Sequence, residues 1–439
     1  MKIIGIIAEY NPFHNGHAYQ IKKIKEDLQA DFVVVAMSGN FVQRGTPAII
    51  DKYARAQMAL SCGADLVIEL PVLWATASAE YFSMAGVTLF DKMGCIDGIC
   101  FGAETDNLEV LSMIADVLAC EPDYYRTALT SYLKSGMAFP SARSKALCDY
   151  FAQNVSDSPD KNVKINLDEL SSILNEPNNI LGIEYLKALK RRNSSITPYI
   201  IKRKGAGYHD PKIAIANSCT SDNTPTASAT AIRKALDTDI FINDLTISDE
   251  LSTAIPAPAL DILKSYASNQ AFICSNDFSS ILGYKLLSSN AGDLADIGDS
   301  NIELANRLLK NRMNFTTFEQ FCERNKSKDV TYTRISRILL HLILDIKTCD
   351  YTFGKELDYI PYLRMLGFRK DSSALLKALK HCSVVPIISK LADATSFLSA
   401  DAVMLLEKDI FAADLYSQVC ANISNTSPNS EFTKNIILT

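Results

Sequence analysis

An α/β architecture, a parallel sheet with crossover helices followed by a mainly helical C-terminal part, is what this sequence predicts. Three observations carry that prediction. Short β-rich runs alternate with helical patterns through the first half, the alternation fades near residue 245, and the remainder is spaced as helix.

The elements follow in order. "KIIGIIAEY" is an apolar run of strand length, and "HAYQIKKIKEDLQA" behind it repeats Ile21, Ile24 and Leu28 at helical spacing. That stripe predicts a helix lying on the sheet, with Lys22, Lys23 and Glu26 in water. "DFVVVAMSG" reads as a second strand, "KYARAQMALSCGA" as a helix and "DLVIELP" as a third strand; "GCIDGICFG" and "ITPYIIKRK" continue the sheet. Residues 153–177, rich in Asn, Asp and Ser, read as a surface excursion before a helix through "ILGIEYLKALKRR", and 208–227 as a mobile loop beside a site. "DLADIGDSNIELANRLLKN", "FTTFEQFCERN" and "YTRISRILLHLILDI" are helical patterns. Two parts are therefore expected, residues 1–245 and 246–439, with "SDELSTAIPAPALD" near the junction and no internal repeat.

Composition narrows the classes. A chain of 439 residues buries large cores and suits two or three domains. No unbroken apolar stretch reaches the roughly 18 residues of a membrane span, and the N-terminal run lacks the pattern of a secretory signal, so a soluble, cytoplasmic protein is expected. Eleven cysteines scattered from Cys62 to Cys420 without a C-x-x-C pair speak against a zinc site or a disulfide framework. The net charge of −6 argues against indiscriminate nucleic-acid binding, although a local basic face can coexist with it.

The stretch "EYNPFHNGH", residues 9–17, carries the chemistry. A tight turn from a first parallel strand into a helix exposes backbone N–H groups and the positive end of the helix dipole, which suits a phosphate. Gly16 permits close approach, Pro12 stiffens the turn, and His14 and His17 can donate to phosphate oxygens as pyrophosphate leaves. For an isolated H-x-G-H string a turn histidine and a capping histidine are the plainer reading. Its place at the end of strand one, where open α/β sheets seat ligands, favours function.

The string resembles the H-x-G-H signature of the nucleotidyltransferase superfamily. "SATAIRKAL" resembles the second signature of that group, a Ser/Thr-rich turn opening a helix, with Ser228 and Thr230 offering hydroxyls and Arg233 a cation. A simple N-cap explains the same residues, and both readings can hold. "GIIAEYNPFHNGH", "MSGNFVQRGTPAIIDKYARAQMAL", "GADLVIELP", "CFGAET", "PNNILGIEYLKAL", "KRKGAGYHD" and "ASATAIRKAL", in this order, resemble the tRNA(Met) cytidine acetate ligase family across most of residues 3–236; "YTRISRILLHLIL" and "YLRMLGF" extend the similarity more weakly.

That resemblance implies a Rossmann-like, HUP-type nucleotidyltransferase sheet with a C-terminal helical, tRNA-binding domain. It implies ATP as substrate with Mg²⁺, acetyl-adenylate as intermediate, and acetyl transfer to N4 of the wobble cytidine of elongator tRNA(Met). His14 and His17 would be catalytic. The ATP site would comprise Ile7, Ala8, Glu9, Tyr10, Asn11, Pro12, Phe13, His14, Asn15, Gly16, His17, Ala18, Tyr19 and Gln20, with Gly102, Asn178, Arg203, Ser228 and Thr230. Plainer readings stand beside these: Gly102 as a turn glycine after a strand, Asn178 as a helix cap, Lys202 and Lys204 as a solvated basic run. Gln43, Arg44 and Gly45 are expected to face the same edge and to help hold acetate or cytidine. Arg55 and Met58 resemble an R-x-x-M seen in related enzymes, with Met58 read as core, His209 as a loop residue, and His341 and His381 as packed helix residues.

From Arg307 to Ile338 eight Lys or Arg face three acids, an electrostatic footprint for a phosphate backbone. Arg324, Lys326, Lys328, Arg334 and Arg337 are the expected tRNA contacts, with Tyr332 and Phe315 available for base stacking; a solvated face with core aromatics is the alternative. Two rival functions remain: an adenylyltransferase for a small metabolite, which would not need so large a basic helical half, and a nucleotide-binding protein without turnover, which would not need two histidines at the phosphate turn.

Overall fold

A computed structural model describes residues 1–154, 167–203, 227–239 and 249–439. His209, Lys204 and nearly all of the expected 208–227 loop lie outside the described residues, as do 155–166 of the expected excursion.

The sheet is built outward from β1 (Ile3–Ala8), with β2 (Phe32–Ser38) on one side and β6 (Gly98–Ala103) on the other, both parallel to it. β5 (Leu66–Leu70) lies beyond β2 and β7 (Thr197–Lys202) beyond β6, again parallel. A two-strand hairpin, β3 (Phe41–Val42) and β4 (Thr46–Pro47), stands apart from the sheet. The strand order therefore reverses at β1, the switch point at which such sheets open a crevice.

Both faces are covered, which is why the strands read as near-continuous apolar runs. Val33, Val35 and Met37 face one core, with α1 (Asn15–Glu26), α2 (Lys52–Ser61) and the helix Ala257–Ala267. Val34 and Ala36 face the other, with α3 (Ala79–Met93), α4 (Leu108–Cys120) and α5 (Pro177–Arg191). Ile21 and Ile24 are buried as the periodicity predicts, and α1 ends before Leu28. A further helix, α6 (Ala229–Asp239), begins at the second signature.

The C-terminal half is mainly helical, including α7 (Tyr332–Leu344) and α8 (Ala400–Ser424), but it also returns strands to the sheet. β8 (Leu363–Phe368), the "YLRMLGF" segment, pairs antiparallel with β5, and β9 (Ile387–Ile388) and β10 (Ile437–Leu438) pair parallel with β8. Ile338, Leu342 and Leu405 join one core and Leu251, Leu263 and Leu366 the other.

A buried ion network fastens that edge. Lys52 Nζ lies 2.7 Å from Glu69 Oε1 and 2.7 Å from Glu431 Oε1; Arg364 pairs with Glu69 at 3.2 Å and also with Glu431. Against the desolvation that would raise it, Lys52 and Arg364 hold the Glu431 carboxyl down at about 2. Two cations and two carboxylates from α2, β5, β8 and the C-terminal segment balance inside the protein, the condition under which buried charge is tolerated.

Candidate active site

Between β1 and α1 the backbone turns sharply: Tyr10 takes a left-handed φ of 46° and the Asn11–Pro12 peptide is cis. His14 is the N-cap of α1. Its Nδ1 accepts from the Gly16 N–H at 3.1 Å, while its own N–H donates to His17 Nδ1 at 3.2 Å. The pair forms a capping box in which histidines stand where Ser and Glu usually do. A Cβ on Gly16 would sit 2.9 Å from His14 Cε1, so the close approach this glycine permits is that of the His14 ring itself.

Because each Nδ1 is an acceptor, the proton of each neutral ring is assigned to Nε2. Burial, with Arg203 and Arg233 nearby, lowers the His14 pKa to about 3; burial, then His14 and Arg203, hold His17 well below its ordinary value. The two rings are stacked at 3.7 Å between centroids. They act as neutral Nε2–H donors, a form suited to oxygen atoms that gain charge during a reaction.

The histidines open onto a cavity of about 350 Å³ at the carboxyl ends of β1 and β6. Of the expected site residues it is lined by Ile7, Ala8, Glu9, Tyr10, Asn11, His14, His17, Gln20, Gly102, Asn178, Arg203, Ser228 and Thr230. Arg233, Arg44 and Gln43 join them, so three arginines surround the space and Glu9 is the one carboxylate on it among the described residues. Arg233 donates to the Asn11 carbonyl at 2.6 Å and to Thr230 Oγ1 at 3.1 Å, tying the second signature to the first.

Several expectations change. Pro12 and Phe13, in the turn before α1, do not line the cavity, nor do Asn15, Gly16, Ala18 and Tyr19, since a helix turns part of its residues away from any one side. Phe13 is in the core and Asn15 donates to the Thr253 carbonyl at 2.7 Å. Gly102 lies within β6, without a left-handed φ, so it is not a turn glycine. Among the described residues a Cβ there meets nothing closer than 3.4 Å, so their packing does not demand the bare backbone. Asn178 does not cap α5, whose N-cap is Glu176; it lines the cavity while its amide donates to Glu104 behind it at 2.5 Å. Ser228 does cap: its hydroxyl accepts from the Ala231 N–H at 3.1 Å while it also lines the cavity.

Sequence reasoning did not identify the apolar wall, Ala79 and Phe82 of α3, Phe101 of β6, and Ile180, Leu181 and Tyr185 of α5. Only the folded sheet brings these helices over the site. Arg55 is wholly buried, donating to the carbonyls of Glu9 at 2.6 Å, Ser38 at 3.1 Å and Ile50 at 3.1 Å and to that of Gly39. It pins the two loops that border the cavity. Met58 and His341 are buried as expected, but His381 is exposed at the end of its helix.

On the basic segment, Arg324, Lys326 and Lys328 are exposed. Arg334 and Arg337 are half-buried on α7 and bound to Asp299, the first through its carbonyl and the second through its carboxylate. Phe315 and Tyr332 pack against the core, Phe315 edge-on to Phe321 from the extended residue after a short turn and Tyr332 from the first turn of α7, since burial of a ring removes apolar area from water. The described residues contain no group of three or more His, Cys, Asp or Glu able to hold a metal ion, and no helix among them is long and apolar enough to cross a membrane.

The parallel sheet, the switch-point cavity and the paired histidines define a nucleotidyltransferase of the H-x-G-H type. Residues 1–431 match the family described as HIGH Nucleotidyl Transferase. Among curated relatives, the tRNA(Met) cytidine acetate ligase of Thermoanaerobacter sp. (strain X514) is 42% identical over 97% of both chains, and that of Acetivibrio thermocellus is 37% identical over 100% of both. Crystal structures of Thermotoga maritima TmcAL superpose with TM-scores of 0.89 for the apo form and 0.87 for the form bound with alpha-thio ATP, each at 28% identity over 100% of this chain and 99% of that one. The chain belongs to the tRNA(Met) cytidine acetate ligase family of the HIGH nucleotidyl transferases.

Proposed function

We infer that the protein activates acetate with ATP and transfers the acetyl group to N4 of the wobble cytidine of elongator tRNA(Met), working in the cytoplasm. The observation that carries this reading is the cavity itself: two neutral Nε2–H donors, a helix N-terminus and three arginines converge on one space at the switch point.

In the first step an acetate oxygen attacks the α-phosphorus, an O–P bond forms, and the bond to pyrophosphate breaks. His14, His17 and the α6 N-terminus, whose Ala229 and Thr230 line the cavity, stabilise the charge that gathers on the leaving group, while Arg44, Arg203 and Arg233 offset the meeting of two anions. In the second, the cytosine N4 attacks the acetyl carbon; the C–N bond forms, AMP departs with the anhydride oxygen, and N4 loses a proton. Here the protein supplies position. Gly102 lets the nucleotide lie against β6, and Val42, Gln43, Arg44 and Thr46 border the acetyl and cytidine end.

Mg²⁺ keeps several waters and commonly takes substrate phosphates as ligands. With Glu9 the one lining carboxylate among the described residues, it would ride on the triphosphate and supply charge neutralisation there. Arg324, Lys326 and Lys328, with the α7 N-terminus, would meet the RNA backbone.

Incubation with ATP, acetate and tRNA(Met), followed by mass spectrometry of digested RNA, tests the whole reading. N4-acetylcytidine is expected. Unmodified cytidine beside an adenylylated free metabolite would replace the reading with a metabolite adenylyltransferase.

A further inference from the structure

The hairpin β3–β4 places Val42, Gln43, Arg44 and Thr46 on the cavity, and its tip rests on α7. The Ser336 hydroxyl donates to the Gly45 carbonyl at 2.9 Å, with Ser336 fully buried. Gly45 has a φ of +76°, and a Cβ on it would lie 2.4 Å from the Arg337 backbone nitrogen and 2.6 Å from its Cα. The hairpin therefore sits directly on the backbone of α7, closer than any other residue type allows.

Each side of this contact is anchored. On the cavity side the Gln43 N–H donates to Glu9 Oε1 at 2.8 Å, and Arg55 binds the carbonyls of Glu9 and Ser38. On the other side Arg334 and Arg337 bind Asp299, and the exposed cations Arg324, Lys326 and Lys328 lie just before α7 in the chain. The cavity wall is thus tied through the hairpin to α7, the helix that directly follows the basic segment in the chain.

We propose that Ser336 is a positioning residue for the transfer step, holding the Val42–Thr46 hairpin through the Gly45 carbonyl so that RNA held by the basic segment meets the activated acetyl group in register. This rests on the RNA-acetylating function inferred above. Ser336 touches no substrate and acts through Gly45. An error of about an ångström in such placement is enough to slow a reaction by orders of magnitude.

The test compares Ser336→Ala and Ser336→Cys with wild type in three measurements: acetate-dependent ATP–pyrophosphate exchange without RNA, tRNA(Met) affinity by filter binding, and single-turnover acetyl transfer to tRNA. For Ser336→Ala we expect transfer to fall about tenfold, exchange, which also uses Arg44 of the hairpin, to fall clearly less than transfer, and affinity to stay within about twofold of wild type; Ser336→Cys, which keeps a weak donor, should recover part of the rate. Transfer at the wild-type rate overturns the proposal. So does a parallel fall of all three measurements with a lowered Tm, which marks a merely structural contact, and so does a loss confined to affinity. If wild-type protein exchanges pyrophosphate with acetate yet leaves tRNA unmodified, the functional reading has failed, and the Ser336 comparison has then not entered into the result.

Discussion

His14 and His17 hold each other in place: the backbone N–H of His14 donates to His17 Nδ1 at 3.2 Å, and the stacked rings lie 3.7 Å apart on the cavity wall, with no partner for either Nε2–H among the described residues. One arrangement thus serves as helix cap and as oxygen-binding pair. The two roles separate experimentally.

Asparagine is among the best N-caps, so His14→Asn keeps the cap and removes the Nε2–H donor. Stability should change by less than about 1 kcal/mol, whereas ATP–pyrophosphate exchange should fall about 10²–10³-fold, as for loss of one charge-stabilising donor. A variant that exchanges normally would return His14 to a purely structural role.

Depressed histidine pKa values make a pH prediction. Unfolded histidine takes up a proton near pH 6.5, while folded His14, at about 3, does not. The stability this difference represents is complete above pH 6.5 and is lost as pH falls from there towards 3, by up to about 1.4 kcal/mol per pH unit for each such histidine. Urea unfolding at pH 7.5, 6.5 and 5.5 should show the decline, and kcat/KM for exchange, which reports the free enzyme, should have no inflection near 6.5.

Gly102→Ala separates packing from ligand. Among the described residues the nearest atom to the added methyl is Arg203 Cγ at 3.4 Å, an ordinary contact, so stability should stay within about 0.5 kcal/mol. The KM for ATP should rise at least about tenfold, since a nucleotide laid against β6 loses its closest approach and each 1.4 kcal/mol is a factor of ten. An unchanged KM removes Gly102 from the site.

Arg364→Ala leaves Glu69 and Glu431 buried with Lys52 as their remaining cation in the network. Removing one partner of a buried pair costs about 3–5 kcal/mol, so a Tm drop of several degrees is expected in calorimetry. A Tm within one degree of wild type would mean that water reaches the network.

Replacing Arg324, Lys326 and Lys328 together by alanine should leave pyrophosphate exchange unchanged and weaken tRNA binding, with the slope of log K against log salt shallower by roughly two to three. A slope equal to that of wild type would place the RNA elsewhere.

Much of this was legible in the chain. Strand and helix periodicity announced β1, α1, β2, α2 and β5, and the H-x-G-H and "SATAIRKAL" strings marked the cavity, because local patterns and short-range turns are written in neighbouring residues. Placement of an individual side chain was not: no local pattern sets Arg334 on the Asp299 carbonyl or decides that Tyr332 packs against the core.

What the amino-acid order determined by itself was the type of each early element and the chemistry gathered at the first turn. Only the tertiary structure decided that β8 closes on β5 through Lys52, Glu69, Arg364 and Glu431, that α3 and α5 wall the cavity, and that Gly45 seats on α7. Each of these joins residues far apart in the chain. Such a contact depends on how apolar faces pack and buried charges balance in three dimensions, and no local window of sequence contains both partners.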